Sequence, residues 1–501
     1  MKIFTVDKIR RADEYTIKHE PITSFALMER ASTTVAQWIL KRYPKYYAPV
    51  IIAGSGNNGG DGLAVAGLLS GYGYNCHVFL AMGSDGSADF NANLKHLEKI
   101  EVEVTNQFDL LKNSIKHGQH LLLIDALFGS GLSRPIENKL ATLIDFLNQI
   151  QAEKISIDIP SGLYADKSSE GNTIFQADFT LTFQFPKLAF MMPENASSVG
   201  HWKVLDIGLH QTYITNETSD YLYIEDATLK QSKKFAHKGD RGRCTIIAGG
   251  HGRTGAATLA TQAALRSGAG LVTVQASKQS VDVYQNILPE ALINPDENEY
   301  ELGELKSYEN QDVLVIGPAL GFALKTKEMF RHIIAIYKGK LVLDADALTY
   351  ISEDAGLLNQ LPSQTILTPH IGEFDRLFGG HANHFERLKT LKKVAKQYNL
   401  IVVLKGHHTV IVDTSGQFYF NSTGNQGMAK GGSGDVLAGL LGGMLAQRQN
   451  INTLQTVISA VHLHGLAGDI ALNKMSEFYM LPSNLLENLH LAQKMLMKYN
   501  K

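Results

Sequence analysis

Cysteine is nearly absent. The 501 residues include two, Cys76 and Cys244, far apart in the chain. Two cysteines build neither a disulfide framework nor a cysteine-based zinc site, and their scarcity fits a reducing compartment. An excess of one charge is missing too: 47 Lys and Arg stand against 49 Asp and Glu, for a formal net charge of −2. Neither end carries a long basic run, so binding to nucleic acid or an anionic membrane has no electrostatic support. No apolar run reaches the roughly 18 residues a bilayer span needs. The opening MKIFTVDKIRRADEYTIKHE is charged throughout and lacks the apolar core of a signal peptide. There is no fixed-period repeat and no low-complexity segment. The expectation is a soluble cytoplasmic protein that binds neither nucleic acid nor membrane.

What is present is enough apolar material, 44% of residues, to build large cores. At roughly 100–200 residues per domain the length allows two to four domains. The polar stretch 211–225 reads as a linker between an N-terminal domain, 1–215, and a C-terminal one, 222–501. The first half opens with a helical pattern in which Phe25, Leu27, Met28, Ala31, Val35 and Trp38 recur at helical spacing. Short β-branched runs follow at 50–53, 77–81, 121–125, 155–159 and 179–183, separated by helix-like stretches. Such alternation predicts a parallel, three-layer α/β sheet. The second half repeats the style, with strands expected at 244–248, 271–275, 313–316, 341–344, 366–368, 401–404 and 409–412, helices at 255–267 and 435–446, and a late hairpin within 401–420.

Three segments of the first half carry chemistry. In AGSGNNGGDGL, Gly54, Gly56 and Gly59 satisfy G-x-G-x-x-G between a strand and a helix, where free N–H groups meet a phosphate. A hydride-carrier site would also need an acid at the end of the next strand, about 20 residues on, to bind the ribose. That strand, CHVFLA, runs instead into Met82-Gly83-Ser84. The loop therefore reads as a phosphate cradle that is not an ordinary dehydrogenase site. The other two segments, DALFGSGLSRP and SIDIPSGLYAD, place Asp125 and Asp158 at strand ends. Ligands of open α/β sheets bind outside those ends, so the three loops are expected to converge.

Together the three motifs resemble the NAD(P)H-hydrate epimerase family, in the family's order and over nearly all of 1–210. The resemblance implies a Rossmann-like fold. It also implies that Asn57, Asn58, Gly59, Gly60 and Asp61, with Gly129, Ser130, Gly131, Leu132, Ser133, Arg134 and Pro135, hold the hydrated dinucleotide. Asp158 would contact the damaged ring, and Asn58, Asp125 and Ser161 would hold a potassium ion. All three offer oxygen donors, which suits a hard cation. Swapping R for S at the hydroxyl-bearing C6 requires the C–O bond to break and re-form, and a positioned carboxylate such as Asp158 can move the proton.

In the second half, GNQGMAKGGSGDVLAGLLGGMLAQ runs a Gly-rich loop into a helix starting near Asp435. Consecutive N–H groups there form an anion hole, and the adjacent Asp can take a proton from a hydroxyl being phosphorylated. With HKGDRGRCTIIAG, VIGPALG, LDADAL, LTPHIGEFDRL and VVLKGHHTVIVD, this half resembles the ADP- or ATP-dependent NAD(P)H-hydrate dehydratase family, a ribokinase-like fold. The resemblance implies that Lys405, Gly406, His407, His408, Thr409, Asn425, Gly431, Gly432, Ser433 and Gly434 hold the nucleotide. Ala256, Gly321, His370 and Asp435 would face the hydrate, with Asp435 catalytic. Magnesium would bridge the nucleotide phosphates, ADP would donate the phosphoryl group and leave as AMP, and the chain would form a homo-oligomer, a tetramer in the family. Ala319 departs from the pattern, standing where the family usually has glycine. His462 and His464, two apart on a helix, point in different directions and read as packing or polar-network residues. The rival readings are a ribokinase-like kinase of vitamin precursors, or an enzyme in which one domain is inert and only binds or oligomerises.

Overall fold

The structure is a computed structural model that describes residues 1–117, 120–229, 234–448 and 452–499. Its contacts divide the chain into two compact units, Met1–Tyr221 with Asn383–Phe385, and Leu222–Ala382 with Glu386–Lys501. No helix among the described residues is long and apolar enough to cross a membrane.

Unit 1 is built on seven parallel strands: β1 (Ala48–Ala53), β2 (His77–Leu80), β3 (Glu103–Thr105), β4 (Leu121–Ala126), β5 (Glu153–Ile157), β6 (Phe179–Phe183) and β7 (His201–Leu205). They lie in the order β3-β2-β1-β4-β5-β6-β7. Successive side chains point to opposite faces of a sheet. Here Ile51, Ile124 and Ile155 enter one apolar cluster, while Val50, Ile52 and Leu123 enter another. Both faces are thus dry, as a parallel sheet covered by helices requires. The helix Ser24–Arg42 covers part of the first face. Its start is set by Thr23, whose hydroxyl accepts the Ala26 N–H at 3.1 Å, and it buries Leu27, Met28, Ala31 and Val35 of the predicted stripe. The chain runs from β1 outward to β3, then returns to β4 beside β1. The reversal puts a crevice between the carboxyl ends of β1 and β4.

Unit 2 repeats the plan. Nine of its strands, β8 (Arg243–Ile247), β9 (Leu271–Ala276), β10 (Leu292–Pro295), β11 (Val313–Ile316), β12 (Lys340–Leu343), β13 (Ile366–Leu367), β14 (Ile401–Leu404), β15 (Val410–Val412) and β16 (Phe418–Asn421), run in the order β16-β15-β14-β13-β12-β11-β8-β9-β10. Pairing is parallel from β10 through to β14 and antiparallel from there to β16. The expected hairpin is therefore a three-stranded meander.

The helix Ser433–Ala446 packs under this sheet against the helix Thr254–Arg266. Gly439 explains how close they come, since a Cβ there would stand 1.9 Å from the carbonyl oxygen of Ala260.

The segment 211–225 differs from the expected loop. It holds a short helix, Gln211–Asn216, capped by the His210 ring accepting the Thr212 N–H at 3.3 Å, and a strand, Tyr221–Ile224. Its polar residues cap the helix and make its exposed face, while the strand is apolar and half-buried.

Candidate active sites

In unit 1 the tight turn after β1 depends on two glycines. A Cβ at Gly54 would stand 2.0 Å from the Leu127 carbonyl oxygen, and one at Gly59 would stand 1.8 Å from the Gly54 carbonyl oxygen. A side chain at Gly54 would drive the β1 loop from the β4 loop, and one at Gly59 would force open the turn itself. Gly56 then caps the helix Asn57–Gly71, whose first N–H groups face the crevice side of the sheet.

Above the turn is a cleft of ≈ 570 Å³, lined by Asn57, Asn58, Asp61, the stretch Gly129–Arg134 and Asp158, together with Ile9, Arg10 and Asp13. Three of the expected binding residues do not line it. Gly59 and Gly60 face protein, Gly60 against the Met28 side chain, and Pro135 is exposed.

Asp158 follows β5 with φ +65°, a left-handed backbone that a residue with a Cβ adopts at a cost. That turn aims its carboxylate into the cleft. Oδ2 accepts the Ser130 N–H at 3.0 Å, and Oδ1 meets the Lys187 ammonium at 2.8 Å and the Thr182 hydroxyl at 3.5 Å. Burial alone would raise its pKa, but Lys187 and the Ser130 N–H outweigh burial and hold the carboxyl below the usual range. Asp158 is therefore an anion at neutral pH. Asp125 lies fully buried at the end of β4. Its oxygens accept the Ser161 N–H (2.8 Å), the Ser161 hydroxyl (2.6 Å), the Ser156 hydroxyl (3.0 Å) and the Leu127 N–H (3.2 Å). It ties the loop after β4 to strand β5 and to the loop that follows β5. Next to this cluster Asn58 buries its amide nitrogen without a hydrogen-bond partner. Turning that amide over would present its oxygen instead, an arrangement that suits a cation.

Lys187, Asp13 and Arg10 were not predicted. Lys187 carried a signal, being a lone cation in the apolar run FPKLAF. Asp13 and Arg10 carried none beyond their place in a charged helix.

In unit 2 the carboxyl ends of β12, β13 and β14 carry Asp344, His370 and Lys405. Lys405 Nζ lies 2.6 Å from Asp344 Oδ1 and 3.8 Å from Glu373. Burial would lower the Lys405 pKa, but Asp344 and Glu373 outweigh it and hold the ammonium above its usual value. The Gly-rich loop ends at Gly432, with φ +104°, as N-cap of a helix that starts at Ser433, two residues before the expected Asp435. At Gly434, one turn-position from Asp435, a Cβ would stand 3.4 Å from Lys405 Nζ and 3.7 Å from Asp344 Oδ2. The helix start, the lysine and the two carboxylates thus share one corner. Burial, then Asp344, raise the Asp435 carboxyl to about 6.

The remaining predicted residues take varied positions. His370 caps its own helix, Ile371–Phe378. Its Nδ1 accepts the Gly372 and Glu373 N–H groups while Glu373 returns a bond to the His370 N–H, and the ring is exposed. Gly321, at φ +92°, donates its N–H to Asp346 at 2.8 Å. Ala256 is half-buried in the first turn of its helix. Gly406 and Thr409 close the β14–β15 turn by hydrogen bonds through the Thr409 hydroxyl. His408 is buried there, which with His407 pushes its ring down to about 4. Asn425 binds Asp469 through its amide nitrogen and the Gly427 N–H through its oxygen, folding the Gly-rich loop on itself. His462 bonds Asn421, and His464 bonds the Ser433 carbonyl from below, its ring held neutral by burial. Among the described residues no group of three or more His, Cys, Asp or Glu side chains could hold a metal unaided. Magnesium that arrives on nucleotide phosphates needs only one or two carboxylates, and Asp344 stands at this corner. The acids after β12, in LDADAL, went unassigned although they carry the same strand-end signal as Asp125 and Asp158.

The chain matches two families. Residues 24–189 match the YjeF-related protein N-terminus, and residues 244–491 match NAD(P)H-hydrate dehydratase. A bifunctional NAD(P)H-hydrate repair enzyme Nnr from Moorella thermoacetica is 32% identical over 97% of this chain and 96% of its own length. The enzyme of the same name from Escherichia coli K12 is 30% identical over 97% of this chain and 93% of its own. Among solved structures, an ADP/ATP-dependent NAD(P)H-hydrate dehydratase from Bacillus subtilis, co-crystallised with ATP and Mg2+, is 30% identical. It covers 54% of this chain and 95% of that one, with a TM-score of 0.46. Relatives that span both units do not favour a vitamin-precursor kinase.

Proposed function

The chain belongs to the bifunctional NAD(P)H-hydrate repair enzymes, and from that premise we propose how its two halves divide the work. Residues 1–215 interconvert the R and S hydrates. Residues 222–501 dehydrate the S form at the expense of ADP, releasing NAD(P)H, AMP and phosphate. The observation that carries the reading is the pair of aspartates held in opposite conditions. Asp158 is kept ionised by Lys187 in the first cleft. Asp435, raised to about 6, is poised beside an anion hole in the second.

In the first site Asp158 accepts a proton as oxygen is exchanged at C6, while the stretch from Gly129 to Arg134 and the N-terminus of the helix Asn57–Gly71 hold the dinucleotide. Asn58, Asp125 and Ser161 would hold a potassium ion, which would supply positive charge to this site. In the second site hydroxide is too poor a leaving group, so the C6 hydroxyl is phosphorylated first. Asp435 takes its proton, and the N–H groups around Gly434 stabilise the transferring phosphoryl group. Lys405, held above its usual pKa, stays charged for the nucleotide phosphates. Asp344 would face a magnesium ion brought in with the nucleotide, which would supply positive charge to the phosphates. Loss of phosphate restores the ring double bond.

The test supplies an R/S mixture of hydrated NADH with ADP and magnesium and follows NADH absorbance. Full recovery supports both activities. Recovery of the S fraction alone, corrected for spontaneous epimerisation, removes the first. No recovery removes the second.

A further inference from the structure

Exchange at C6 needs two proton-handling groups. The ring nitrogen of the hydrate is a vinylogous amide whose lone pair is shared with the ring carboxamide. It pushes weakly, so the departing hydroxyl must be protonated. Water adding back to the other face must lose a proton. Asp158 is engaged as an anion by Lys187, the Ser130 N–H and the Thr182 hydroxyl. An anion so held carries no proton to give at neutral pH and can serve only as the acceptor.

The cleft offers two further carboxyl groups, Asp13 and Asp61. Asp61 is the more buried, is itself pushed toward the acid form by burial and by the charge of Asp158, and already pairs with the Ser32 hydroxyl. Asp13, on the helix Val6–His19, lines the same cleft, and its carboxyl makes no hydrogen bond among the described residues. We infer that Asp13 is the proton donor of the unit 1 cleft, the working partner of Asp158 in R/S interconversion. This rests on the epimerase reading above.

The electrostatics agree with that geometry. Burial, and then the charge of Asp158, raise the Asp13 carboxyl to about 7, with Lys187 opposing and Glu14 adding. Asp61, Arg10 and Arg134 are the other charged groups that line the cleft. Asp158 is thus held toward the base form and Asp13 toward the acid form, and of the two raised carboxyls Asp13 is the one without a hydrogen-bond partner among the described residues. In the step, Asp13 gives its proton to the C6 hydroxyl. The C6–O bond breaks as the nitrogen lone pair forms C6=N1, and water is released. Water adds to the opposite face of C6 and yields its proton to Asp158. The proton returns to Asp13 through water in the cleft. Nothing is consumed, and the reverse reaction exchanges the two roles.

The experiment uses the full chain with the R/S mixture of hydrated NADH, ADP and magnesium. Consumption of the S fraction is the internal control for the second site, and the slow phase reports R-to-S conversion. Expected for Asp13→Asn is a loss of the slow phase of about 100-fold or more, with S consumption at the wild-type rate. The wild-type slow phase should also weaken as pH rises through about 7, where the donor empties. Asp13→Glu should retain part of the rate with that limb displaced, which a residue that only supports the fold would not do. An Asp13→Asn enzyme that epimerises at the wild-type rate overturns the inference. So does an Asp13→Glu limb that stays in place, a readout that holds if Asp13→Asn misfolds. So does an Asp61→Asn loss with Asp13→Asn intact. If the wild-type chain shows no slow phase beyond the spontaneous rate, the epimerase reading itself has failed, and that result is distinct from the others.

Discussion

The ammonium of Lys187 stands 2.8 Å from Oδ1 of Asp158, and both side chains are almost wholly shielded from water. Removing one partner of a buried pair leaves an uncompensated charge, so Lys187→Met should cost about 3–5 kcal/mol. With its carboxyl held below the usual range, Asp158 stabilises the fold at neutral pH. That contribution is lost as pH falls through its depressed value. Without Lys187 the carboxyl rises instead, and at mildly acidic pH it becomes neutral and needs no partner. The deficit of Lys187→Met should therefore be smaller at pH 5 than at pH 8, and the double variant Lys187→Met/Asp158→Asn should recover part of it. Urea denaturation at both pH values checks the cycle.

Asp435 predicts the opposite pH behaviour. Its carboxyl is raised to about 6 by burial and by Asp344, so as a base it is competent above that value. The dehydration rate should fall as pH drops through about 6, and Asp435→Asn should lower kcat about 100-fold or more. The stability effect runs the other way. A raised carboxyl favours the folded state below the ordinary carboxylate range and loses that advantage as pH rises through about 6. Asp435→Asn should thus melt above the wild type at pH 8 while remaining inactive, a separation of stability from function that calorimetry and the NADH assay read together.

Ala319, where the family pattern has glycine, adopts φ +47°. A left-handed alanine costs roughly 1–2 kcal/mol, partly offset because glycine loses more entropy on folding. Ala319→Gly should stabilise unit 2 by about 0.5–1 kcal/mol, seen as a rise in the corresponding Tm. Its backbone carbonyl accepts the Gly250 N–H at 2.7 Å, and that bond survives the change. Activity should stay within a factor of two if the loop conformation is what matters.

The parts of the fold that could be read from the chain are those where a single residue run determines its own environment. β1 and β4 are dry on both faces and read as short apolar runs, and the acids that end β4 and β5 stand out against them. The edge strands escaped notice for the same reason in reverse. Glu103–Thr105 and His201–Leu205 are half-exposed, and their polar residues mask the pattern. The boundary between the units falls inside the polar stretch 211–225, but the stretch is a short helix and a strand where a loop was expected, because helix caps and exposed helix faces are polar too. Within the first site the strand-end loops announced themselves, but Asp13 did not. It sits among Asp7, Lys8, Arg10, Arg11 and Glu14, and only the packed fold selects which member of that run meets the cleft. His370 shows the converse. A motif histidine drew a substrate role, and the structure engages its ring first in capping a helix.

The glycines of the helix Ser433–Ala446 predict a coupling between packing and catalysis. This helix carries Asp435 at its start and crosses the helix Thr254–Arg266 so closely that Gly439 has the Ala260 backbone in place of a side chain's space. A Cβ at 1.9 Å from a carbonyl oxygen cannot be absorbed by turning a flexible side chain, so the helices must separate. Overpacking of a dense core costs about 1–3 kcal/mol, and here the contact is with backbone on an element that cannot rotate away. Gly439→Ala should therefore destabilise unit 2 by about 2–3 kcal/mol, even though alanine is the better helix former by nearly 1 kcal/mol. Displacing the helix also moves its N-terminus, and a misplacement of about 1 Å can cost on the order of 100-fold in rate. The expected result is a fall in kcat for dehydration under conditions where the variant is still folded, with R/S interconversion unchanged because Gly439 lies outside unit 1. A variant that melts like the wild type would show that the helices accommodate the methyl group and would remove the proposed link.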